Sequence, residues 1–91
     1  MTKQDPIEIL RETISAYTDI NYHTKSVLTL AKFLKDDKAI KELKQIEKEH
    51  NRIGHLPYEL MTKRREIFYR LMDDLRIKHG QEVHDKLNSA F

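Results

Sequence analysis

The chain has 91 residues, with 17 basic and 15 acidic side chains, a net charge of +2, two glycines, two prolines and no cysteine. That length allows one domain over residues 1–91 with one small core, and the absence of cysteine excludes disulfides and sulfur-based zinc sites and fits a reducing, cytoplasmic setting. No apolar run approaches the roughly 20 residues that cross a bilayer, and near-balanced charge excludes a strongly basic arm of the nucleic-acid-binding kind.

In chain order, Asp5-Pro6 supplies an N-cap acceptor followed by proline at the first helical position. Ile7, Leu10, Ile14 and Tyr17 share one helical face, and Ile20, Val27, Ala31 and Leu34 share another. The second stripe is rotated by roughly a quarter-turn from the first, so one straight helix cannot present both to a core. Thr18-Asp19-Ile20-Asn21 lies between them. The pattern predicts a break there, separating a helix over about 6–17 from another over about 20–35.

Asp36-Asp37 caps a third helix, with Ile40, Leu43, Ile46 and Ile53 as its apolar stripe and Gly54 as its stop. Pro57 is expected in the first turn of a fourth helix, over 57–79, which would pair with the third as an antiparallel hairpin. Leu60, Met61, Ile67, Phe68, Leu71, Met72 and Leu75 form its broad apolar face, and Gly80 ends it. Val83, Leu87 and Phe91 mark a short final helix. The expected fold class is therefore all-α, a compact antiparallel bundle of four to five helices.

Catalytic signals are missing. Ser15, Ser26 and Ser89 lie in no glycine-rich elbow, and no phosphate-binding loop is present. Glu47 and His50 form a single Glu-x-x-His, too few ligands for a metal, so neither metal nor other cofactor is expected. Lys63-Arg64-Arg65 with Arg70, Arg76 and Lys78 is the densest basic stretch, and Tyr69 could stack against a base. The pairs Glu59–Lys63, Glu66–Arg70, Asp74–Lys78 and Glu82–Lys86 have the i, i+4 spacing that would neutralise most of it.

Two positions break the helical pattern. Ile77 projects onto the charged face of the fourth helix, which makes it a candidate contact with another chain. Arg64 falls near the centre of the apolar arc, where an unpaired guanidinium is costly. Glu47 and Arg64 are equally distant from the turn between the third and fourth helices. The expectation is a buried Glu47–Arg64 pair, with His50 one turn away, that fixes the hairpin register.

Arg11 with Arg65-Glu66 resembles scattered positions of the helical chorismate mutases, but Thr62 stands where that family places an acid, and the activity is not carried over. His50-Asn51-Arg52 followed by Lys63-Arg64-Arg65 resembles the helix-turn-helix hairpin of a ribosomal protein family, without its N-terminal part or its strongly basic balance. The leading expectation is a non-enzymatic protein acting by protein–protein interaction, as a regulator, inhibitor or immunity-type protein. Arg65, Tyr69, Arg76 and Ile77 are its candidate partner-binding surface, and self-association is left open. RNA or DNA binding through the basic helix is the alternative, and a small helical enzyme on an anionic substrate the third reading.

Overall fold

The computed structural model describes residues 5–16 and 23–91. The described chain is all-α, with helices α1 (Pro6–Ser15), α2 (His23–Phe33), α3 (Asp37–Ile53), α4 (Tyr58–His79) and α5 (Gln81–Asn88). The Asp5 carboxylate accepts from the Ile7 N–H at 2.9 Å, so α1 begins where the sequence predicts. The break expected near Thr18–Asn21, with Tyr17 and Ile20 beside it, lies outside the described residues. That α1 and α2 are separate helices follows from their packing. The buried Ser26 hydroxyl donates to the Ile14 carbonyl at 3.5 Å, whereas twelve residues of continuous helix would hold these two about 18 Å apart.

Helix α2 is the hub. Thr24, Ser26, Val27, Leu28, Leu30, Ala31 and Leu34 are all buried, so it is enclosed on several sides rather than on one stripe. Leu10 and Ile14 of α1, Leu43 and Ile46 of α3, Ile67, Leu71 and Leu75 of α4 and Leu87 of α5 join it in one contiguous core. Ile53, in the last turn of α3, and Met61, in the first turn of α4, are the exceptions among the described residues expected inside; both are exposed.

The turn from α2 to α3 is closed without glycine. The Lys35 N–H donates to the Lys32 carbonyl at 3.2 Å and the Asp36 N–H to the Ala31 carbonyl at 3.1 Å, which together form a Schellman cap. That cap needs a left-handed residue, and Lys35 adopts φ 56°. Asp36 then becomes the N-cap of α3, one carboxylate oxygen accepting from the Ala39 N–H at 3.1 Å and the other lying 3.7 Å from Arg70 of α4. The left-handed conformation costs an ordinary residue about 1–2 kcal/mol, partly offset by the lower unfolded-state freedom of lysine relative to glycine, about 0.4–1 kcal/mol. Lys35→Gly is therefore expected to raise stability by about 0.5–1 kcal/mol in urea denaturation. A loss of stability would contradict this account of the turn.

Gly54 (φ 90°) stops α3 as predicted, its N–H donating to the His50 carbonyl at 2.8 Å. Pro57 precedes α4 as its N-cap, with ψ 150°, rather than sitting inside the first turn. Gly80 serves at once as C-cap of α4 and N-cap of α5, with φ 95° and ψ 164°, a region that only glycine occupies cheaply. Helices α3 and α4 follow each other through the Gly54 turn, but the most extensive packing is between α2 and α3 and between α4 and α5. The interhelical ion pairs cross this division, Arg70 of α4 reaching Asp36 at the start of α3. Lys86 of α5 pairs with Glu8 of α1, which also holds Arg11 at 3.1 Å.

Candidate functional site: an arginine-flanked groove on α4

Helix α4, at 22 residues, is about 33 Å long, twice the length of α2. Its buried residues are Ile67, Leu71, Met72 and Leu75, all in its middle and C-terminal part. The apolar face nevertheless continues towards the N-terminus through Met61 and Phe68, where cover thins and Met61 is 37% exposed. Along this overhang Met61, Arg64, Arg65, Phe68 and Tyr69 line a groove of ≈ 250 Å³. The spacing i, i+3, i+4, i+7, i+8 places all five on one side of the helix. The Phe68 ring is braced from below by Phe91, edge-on at 4.8 Å.

Arg64 lies at the inner wall of the groove. It does not meet Glu47, as the sequence reading expected. Its Nη1 donates instead to the Thr24 hydroxyl at the start of α2, at 2.9 Å. The reason is the division of packing: α3 leans on α2 and α4 on α5, so residues equidistant from the Gly54 turn are not brought side by side. Glu47 and His50 remain partly buried on α3, and no ion pair of Glu47 occurs among the described residues. Thr24 can accept a hydrogen bond but cannot neutralise a charge. Burial, and next to it the positive charge of Arg65, push the Arg64 guanidinium below the usual arginine range.

The other basic side chains of α4 are treated differently. Arg70 reaches Asp36, Arg76 pairs with Asp73 at 3.0 Å and Lys78 with Asp74 at 3.0 Å. Of the four i, i+4 pairs expected, Asp74–Lys78 forms, while Arg70 and Lys86 make interhelical contacts instead. Lys63, Arg64 and Arg65 have no acid within ion-pair distance among the described residues. The expected surface is thus divided. At about 100° per residue, Arg65, Tyr69 and Arg76 share a stripe, whereas Ile77, 73% exposed, lies roughly a quarter-turn away beside Asp73. Thr24 was not legible as a site residue, because nothing in its local sequence points to α4.

No protein-family model, curated protein or solved structure matches the chain. Neither resemblance noted from the sequence gains support from a family match, and Arg11 is engaged by Glu8 within its own helix. The hydroxyls of Ser15, Ser26 and Ser89 each donate to a backbone carbonyl. No three metal-ligating side chains converge among the described residues, and no described helix is long and apolar enough to cross a membrane. A second, larger groove of ≈ 430 Å³ is lined by Tyr58, Glu59, Thr62, Lys63 and Glu66, and its one aromatic ring, Tyr58, stands 80% exposed.

Proposed function

We propose that this chain works by binding another protein through the α4 groove, as a small cytoplasmic regulator, inhibitor or immunity-type protein rather than as an enzyme. One observation carries the reading: methionine, phenylalanine, tyrosine and two arginines, the residue types enriched at protein interfaces, line one accessible groove. Tyr69, 63% exposed, offers a large surface at small entropic cost. Nucleic acid is disfavoured by the same geometry. A phosphate backbone needs cations in series, and beyond Arg65 those of α4 are held by Asp36, Asp73 and Asp74.

A photo-cross-linking amino acid at position 69, with position 77 as the comparison, tests the proposal in cells that produce the protein. The expected result is one protein adduct at 69 and none at 77. Titration with RNA and duplex DNA should show binding no tighter than about 10 μM at physiological salt, the range of non-specific contacts. Submicromolar nucleic-acid binding, or cross-links at 77 alone, would overturn the reading.

A further inference from the structure

We infer that the occupant of the α4 groove is an acidic peptide segment of the partner, carrying a carboxylate within about one helical turn of a large apolar side chain. This rests on the protein-binding reading and adds the chemistry of the ligand. The Arg64 guanidinium is partly buried, anchored at one nitrogen by Thr24 and without an acid among the described residues. Arg65 follows it in sequence and is likewise without one. Two adjacent guanidinium groups repel each other, and Thr24 relieves none of that repulsion. A carboxylate placed across them relieves it and gains bidentate, charge-assisted hydrogen bonds.

Thr24 also fixes the Arg64 side chain in place, so less rotamer freedom is lost when a ligand arrives. Beside the arginines, Met61, Phe68 and Tyr69 offer an apolar recess from which one side chain can displace water. The recess spans residues 61 to 69, about 12 Å or two turns of helix, with Met61 and Phe68 each about one turn from the arginines, which sets the spacing of carboxylate and anchor to a single turn. An acidic peptide fits better than a phosphodiester chain because the cationic wall is local and the neighbouring side of α4 carries Glu59, Glu66 and Asp73.

The test is selection of a random-peptide display library on the full-length chain, followed by synthesis of the best binder. Enriched peptides should carry Asp or Glu within four residues of Phe, Tyr, Trp or Leu. Changing that acid to its amide, or Arg64→Met or Arg65→Gln in the protein, should each weaken binding by at least roughly tenfold, as loss of a charge-assisted contact implies. Arg52→Gln on α3, whose arginine is held by Glu49 at 2.7 Å away from the groove, should leave binding unchanged. Enrichment of basic or uncharged peptides, no enrichment, or insensitivity to both arginine changes would overturn the inference. So would self-association of the wild-type chain that Arg65→Gln abolishes in sedimentation, since the occupant would then be a second copy. A protein adduct at position 69 with any of these failures leaves the protein-binding reading standing, whereas no adduct removes both.

Discussion

Leu30→Ala should lower stability by about 2–5 kcal/mol, the cost of emptying a fully enclosed leucine site. Leu30 is completely buried in α2, the helix against which α1, α3 and α4 all pack. Domains of this size have only about 5–15 kcal/mol to lose, so a large fraction of the chains would unfold on mild heating. Urea denaturation of wild type and variant gives the value directly. A loss below about 1 kcal/mol would show that α2 can collapse onto the vacancy, and hence that it is not as tightly enclosed as described.

Leu87→Ala should also cost about 2–5 kcal/mol, with a different distribution. Leu87 is the one fully buried side chain of α5, an eight-residue helix too short to persist unaided. Its truncation should expose residues 81–91 to amide exchange before the α2–α3 pair opens. Release of α5 also withdraws Phe91 from the Phe68 ring, and so loosens one wall of the groove. Hydrogen exchange read by mass spectrometry distinguishes this from uniform destabilisation. Equal loss of protection in all five helices would contradict the anchoring role assigned to Leu87.

The helices and their ends were mostly legible because their signals are local. Asp5-Pro6, Gly54 and Gly80 act within one turn of themselves, and each stands where the sequence predicts. The α2–α3 turn was illegible in its detail because Lys35 occupies a left-handed position that usually announces itself with glycine. The enclosure of α2 had a signal that periodicity alone passes over: between Ser26 and Leu34 the only charge is Lys32. Which helices pack most closely is not local information. The Glu47–Arg64 pairing failed on that point, since equal distance from a turn implies contact only if the two helices stay together. Arg64 itself was marked as anomalous, a cation on an apolar arc, and the fold leaves it partly buried without an acid among the described residues. Thr24, forty residues away in sequence, needed the fold.

The closure at Lys35 and Asp36 also bears on the order in which the structure assembles. Joining α2 to α3 closes a loop of a few residues and spends little chain entropy, whereas bringing Glu8 to Lys86 closes nearly the whole described chain. Local pairings of the first kind belong to the transition state for folding, and end-to-end contacts of the second kind form after it. Changes at the two kinds of contact should then separate in kinetics. Leu30→Ala slows folding, because its contacts are already made at the barrier. Glu8→Gln, which removes the end-to-end ion pair with Lys86, leaves folding nearly unchanged and speeds unfolding, so the α1–α5 seam sets how long a folded molecule lasts.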